Sequence, residues 1–179
     1  MTQYVFLLTA LLLVFLSSAA HAQKSISDLP PAQASALKKF LSEKNGLVFL
    51  SEDAYDQGIL KDMRKNFGAR LKPSYRSGDF NRDGVQDFAV ILLKEGSPPK
   101  DQGAEIAESH RYLRDVTVVI FNGTARSYKP VFVKATQAPL LCFLNLDYGK
   151  RLTFSVYETD EGFIMRPVRT GYRLEYPDH

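Results

Sequence analysis

A chain of 179 residues, 45% hydrophobic and carrying 12 Phe and 9 Tyr, can bury one aromatic-rich core but hardly two. Its net charge of +3 arises from interspersed acids and bases, which excludes the like-charge runs of a nucleic-acid-binding surface. The single cysteine, Cys142, excludes an internal disulfide, so stability must come from the core.

The N-terminus reads as an address. Tyr4 to Leu16 is apolar apart from Thr9, and Ala20-His21-Ala22 is a small-x-small cleavage site. Residues 1–22 are therefore expected to be a cleaved signal peptide, leaving residues 23–179 as one periplasmic or secreted domain. The Met1-Thr2-Gln3-Tyr4 start lacks Lys and Arg, which leaves an uncleaved anchor as the alternative. No later stretch is long and apolar enough for a membrane span, which needs about 20 residues.

Helical signals come first. Asp28 is a candidate N-cap, with Pro30 and Pro31 in the first turn of a helix reaching Lys44. That helix buries Ala34, Leu37, Phe40 and Leu41, and Asn45-Gly46 ends it. Leu47 to Leu50 reads as an apolar link. Ser51 is the expected cap of a second helix, in which Tyr55, Ile59, Leu60, Met63 and Phe67 recur at helical spacing before Gly68.

The period then changes to that of strands. Leu71, Pro73 and Tyr75 alternate with polar residues up to Gly78. Phe88 to Leu93 is apolar on both faces, as in a central strand covered on both sides. Val116 to Phe121 is β-branched, and Asn122-Gly123 predicts a tight hairpin turn into Tyr128 to Val133. Further strands are expected at 140–144, 152–157, 162–165 and 172–176. The fold class is α+β: two N-terminal helices packed on a mainly antiparallel sheet.

Between the strands ending at Gly78 and starting near Phe88 lies the most specific segment. Asp79, Asn81, Asp83 and Asp87 occupy loop positions 1, 3, 5 and 9, with Gly84 at position 6. Calcium takes about 6–8 oxygen ligands in flexible geometry. Four oxygen-bearing side chains, the Val85 carbonyl at position 7 and a glycine for the sharp reversal suit that need. An EF-hand is excluded, because Val90 stands at position 12 and no helix enters the loop.

The run Gly78-Asp79-Phe80-Asn81-Arg82-Asp83-Gly84-Val85-Gln86-Asp87-Phe88-Ala89-Val90 resembles the repeat motif of FG-GAP and VCBS-type proteins. The resemblance implies that Asp79, Asn81, Asp83, Val85 and Asp87 match that family's calcium ligands. It does not imply the family's β-propeller, which needs about 4–8 blades, because the motif occurs once. The chain is more similar to small exported bacterial proteins that carry one such loop in an α+β domain.

Signals for catalysis are sparse. Outside the leader the histidines are His110 and the terminal His179, without an HExxH pattern. Ser109 precedes His110 without a nucleophile elbow. Glu105 and Glu108 have the spacing of a solvated face, and Cys142 in an apolar run reads as a small buried hydrophobe. The expected function is non-enzymatic: a structural Ca²⁺ loop in a protein that binds an envelope protein or glycan. A metal-assisted hydrolase of envelope substrates, or an inhibitor or partner of an exported enzyme, are the alternatives.

Overall fold

The computed structural model describes residues 25–147 and 151–176. The expected signal peptide and His179 lie outside the described residues. The helices are α1 (Pro31–Glu43), α2 (Gln57–Phe67) and the single turn α3 (Glu108–Arg111). The strands are β1 (Leu47–Phe49), β2 (Tyr75–Gly78), β3 (Asp87–Lys94), β4 (Lys100–Asp101), β5 (Tyr112–Gly123) and β6 (Tyr128–Ala138). They continue with β7 (Cys142–Leu146), β8 (Leu152–Val156), β9 (Gly162–Val168) and β10 (Gly171–Glu175). Every pairing is antiparallel, and the architecture is α+β.

The strands form two sheets. In the six-stranded sheet, β3 pairs along one edge with both β1 and β2 and along the other with β5. β6 pairs with β5 along the edge opposite β3, and the short β4 pairs with the first residues of β5. The second sheet runs β10-β9-β8-β7.

Alternation along β3 and β5 divides the core into two. Phe88, Val90, Leu92, Val119 and Phe121 pack with Ala34, Leu37 and Phe40 of α1. Ala89, Ile91, Val116, Val118 and Ile120 pack instead with α2 and the second sheet, through Leu60, Met63, Leu144, Leu152, Phe154 and Met165. β3 is thus buried from Asp87 to Leu92, the physical origin of its unbroken apolar run. Leu37 is fully buried, and its truncation to Ala is expected to cost about 2–5 kcal/mol.

Several boundaries differ from those expected. α1 begins at Pro31 without a side-chain cap, while Asp28 closes a preceding 3-10 turn by accepting the Ser25 N–H at 2.9 Å. Ser51 leads only into a 3-10 turn, and the cap of α2 is Asp56, whose carboxylate accepts the Ile59 N–H at 3.0 Å. The link at residues 47–49 is a strand, β1, paired with the end of β3. The predicted Asn122-Gly123 turn is displaced: the ladder continues through Asn122↔Lys129 and Gly123↔Tyr128. The chain reverses after Gly123, where the Thr124 N–H donates to the Ser127 carbonyl at 2.8 Å and the Thr124 hydroxyl accepts the Ser127 N–H at 3.0 Å. These local hydrogen bonds fix a four-residue reversal and release Gly123 for another task.

Candidate metal centre

β2 and β3 are joined by residues 79–86, and the Gly78↔Asp87 pair closes the ladder at the loop's base. Left-handed backbone at Arg82 (φ 64°) and Gly84 (φ 83°) reverses the chain. The acidic side chains then act as acceptors for the loop's own amides. Asp79 receives the N–H groups of Asp83 (3.0 Å) and Gly84 (2.9 Å) on its two oxygens. Asn81 Oδ1 shares the Asp83 N–H at 3.0 Å, and Asp83 Oδ1 accepts the Val85 N–H at 2.8 Å. Asn81 Nδ2 donates to Asp83 Oδ2 at 2.8 Å. Such side-chain-to-backbone bonds are what Asp and Asn offer a turn.

Asp87 behaves differently. It is fully buried, and its two oxygens bind amides from two separate segments: Phe80 N–H at 3.0 Å and Gly123 N–H at 2.8 Å. The first fastens the start of the loop to its end. The second fastens the loop to the last rung of the β5–β6 ladder. Burial raises the Asp87 pKa above the usual carboxylate value, partly offset by the Gly123 and Phe80 amides. The approach at Gly123 is so close that a Cβ there would lie 2.2 Å from the Gln86 carbonyl oxygen. Glycine is required at this position by contact with the loop, not by turn conformation. Phe88 and Phe121, stacked at 4.4 Å, flank the junction in sequence.

Tyr172 of β10 brings the second sheet to the same region. Its hydroxyl donates to Asn122 Oδ1 at 3.2 Å. Burial foremost, then the negative charges of Asp87, Asp83 and Asp79, push its pKa up. An open cleft of about 490 Å³ adjoins the loop, lined by Gly78, Asp79, Phe80, Arg82 and Leu146.

The donor set is entirely oxygen, the chemistry calcium prefers. Asp79, Asn81 and Asp83 lie in the accessible part of the loop, with the Val85 carbonyl two residues on. A carboxylate oxygen offers two acceptor positions, so one bond to a loop amide does not exhaust it. Asp87, the fifth residue of the expected set, is committed to the core side. Among the described residues, no three His, Cys, Asp or Glu side chains converge as a metal-binding group. A cation held here must therefore draw on Asn81, the Val85 carbonyl and water as well as on carboxylates.

The other candidate residues are also placed. Tyr157's carbonyl can only accept, so His110 Nε2 donates to it at 2.9 Å and Nδ1 is left to accept the Ser109 hydroxyl at 2.9 Å. Adjacent in sequence, the two side chains meet within the single-turn helix α3. His110 and Glu105 line a second cleft, about 430 Å³, with Ile106, Pro139, Glu158 and Glu161. Glu108 begins α3. Cys142 is buried, and desolvation pushes its thiol up to about 12, which suppresses the reactive thiolate.

Comparison of the chain with family models, with curated proteins and with solved structures returns no match. No described helix is long and apolar enough to cross a membrane.

Proposed function

We propose that this is an exported, non-enzymatic protein of the periplasm or extracellular space, in which the 79–87 loop binds one structural Ca²⁺ and the domain binds an envelope protein or glycan. The observation that carries the calcium reading is the loop itself, where Asp79, Asn81 and Asp83 crowd their oxygens around shared amides at Asp83, Gly84 and Val85. A divalent cation would relieve the repulsion among these carboxylates and fix the loop over the Asp87 clamp. The Val85 carbonyl would complete the protein donors, with Asp87 positioning the loop from beneath.

A ligand that binds only the folded state stabilises it by about 2.7 kcal/mol at a hundredfold excess over Kd. For a chain of this size that raises the melting temperature by roughly 5–10 °C. Calorimetric titration with CaCl₂, paired with melts in millimolar Ca²⁺ and in EDTA, tests the reading. Binding and a shift in the native protein, both lost in Asp83→Ala, are expected. Coincident melts and no heat of binding would refute it.

A second reading, a metal-assisted hydrolase of envelope substrates, draws on the Ser109–His110 hydrogen bond. The imidazole is oriented by a carbonyl and can accept the serine proton, the relation a nucleophile needs. Labelling of Ser109 by a serine-directed phosphonate, abolished in His110→Ala, would favour it, and absence of labelling would remove it.

A further inference from the structure

The six-stranded sheet has an open margin. Among the described residues, the eleven-residue strand β6 pairs with β5 along one side and with no strand along the other. On the face shared with α1, its register partner Val119 is fully buried, yet Val133 opposite is 53% exposed and Val131 is 37% exposed. Ala135 continues this exposed row. Val168, 45% exposed, pairs with Gly171, whose backbone approaches the Val131 carbonyl.

The charge around this margin is mainly positive, with the Asp115 carboxylate across the ladder from Gln137 and bonded to its amide at 2.8 Å. Arg126, Lys129 and Lys134 lie on or beside β6, and no Asp or Glu occurs between Asp115 and Asp147. The neighbouring β9–β10 hairpin adds Arg166, Arg169 and Arg173. Its Glu175 is already bridged to Arg166 at 2.9 Å and to Arg173 at 2.7 Å. An unpaired row of peptide groups, an exposed aliphatic row and an excess of positive charge therefore coincide.

We propose that the β6 edge receives an extended acidic segment of a partner protein as an added β-strand. Its main chain pairs with the free N–H and C=O groups of β6. Its alternate apolar side chains rest on Val131 and Val133, and its carboxylates face Arg126, Lys129, Lys134 and Arg169. Pro130 has no N–H and confines the pairing to the Val131–Gln137 stretch. A second copy of this chain is disfavoured, because edge-to-edge pairing would bring two basic margins together. A nucleic acid is disfavoured, because the aromatic rings of β6 are not offered for base stacking: Phe132 packs against Tyr172 and Tyr128 against Phe88. The proposal gives a surface to the binding role inferred above. It does not depend on calcium, so it is tested in EDTA and again in Ca²⁺.

The probe is a fluorescein-labelled ten-residue peptide alternating Glu with Val and Thr, titrated with the native protein and followed by anisotropy. Saturable binding is expected, weakened at least tenfold when a central proline interrupts the peptide. Val133→Pro and, separately, the double charge reversal Lys129→Glu with Lys134→Glu are expected to weaken it at least tenfold. The surface reversal keeps the test open if the proline variant fails to fold. No saturable binding would overturn the proposal, as would equal binding of the proline-interrupted peptide or of a single-stranded oligonucleotide of matched charge. Equal affinity of the charge-reversed protein, or sedimentation of the native protein as an edge-paired dimer, would also overturn it.

Discussion

Two ends of one acidic loop, built from the same residue type, are put to opposite uses. Asp79 and Asp83 are exposed and hold the amides of their own loop. Asp87 is fully buried and holds amides from Phe80 and Gly123, the latter 36 residues away in sequence. The difference is set by the strand. Asp87 opens the buried run of β3, so its carboxylate is drawn into the core with Phe88 to Leu92. An exposed carboxylate oxygen exchanges one water contact for one amide, a net gain of about 0.5–1.5 kcal/mol. A buried carboxylate must be matched fully, because each amide left without it costs about 1–3 kcal/mol.

Truncation at the two ends breaks this contrast if it is wrong. Asp87→Ala orphans two buried amides and is expected to cost about 3–5 kcal/mol of unfolding free energy in denaturant melts. Asp79→Ala, in EDTA, is expected to cost about 1 kcal/mol. Equal losses at the two positions would show that burial does not separate them.

Gly123→Ala comes next. The added Cβ meets the Gln86 carbonyl at 2.2 Å, a backbone atom that cannot simply rotate away. Overpacking of this kind costs about 1–3 kcal/mol, so the melting temperature should fall by roughly 2–10 °C. A neutral outcome would mean that the loop's exit is not held against the β5–β6 hairpin.

A smaller effect concerns pH. The folded-state pKa of Asp87 is raised by burial, so between its unfolded and folded values the native state binds more protons than the unfolded chain. Stability contributed through this group therefore rises as pH falls through the folded pKa and levels off below about 4. Exposed Asp101 acts in the other direction: its carboxyl is held down to about 2, chiefly by the hydrogen bond from Arg111. The stability linked to it is lost as pH falls from about 4 towards 2. Melts in EDTA are expected to show a shallow gain on acidification to about pH 4, absent in Asp87→Asn, and then a decline.

Much of the architecture was legible in the chain. β3 was visible because a strand covered on both faces must be apolar at every position, and β8 because Leu152, Phe154 and Val156 alternate with Thr153 and Ser155. Fixed spacing with a glycine made the loop visible too. What was not legible is tertiary. Asn122-Gly123 carries a strong local turn signal, while the reason for glycine at 123 lies in the approach of Gln86 and Asp87 from another hairpin. The second sheet's share in the site, through Tyr172, leaves no mark in the loop's own sequence. Asp87 matches the liganding pattern, and only burial distinguishes it from Asp79. The Ser109–His110 contact rests on side-chain rotamers within a four-residue helix, which no periodicity announces.

Amide hydrogen exchange, read residue by residue with and without Ca²⁺, addresses the division of the loop most directly. The Phe80 and Gly123 amides are expected to be strongly protected in EDTA and to change little on adding Ca²⁺. The Asp83, Gly84 and Val85 amides are expected to exchange quickly in EDTA and to slow at least tenfold in Ca²⁺. Uniform exchange across all five amides, indifferent to Ca²⁺, would contradict both the buried clamp and the calcium loop above it.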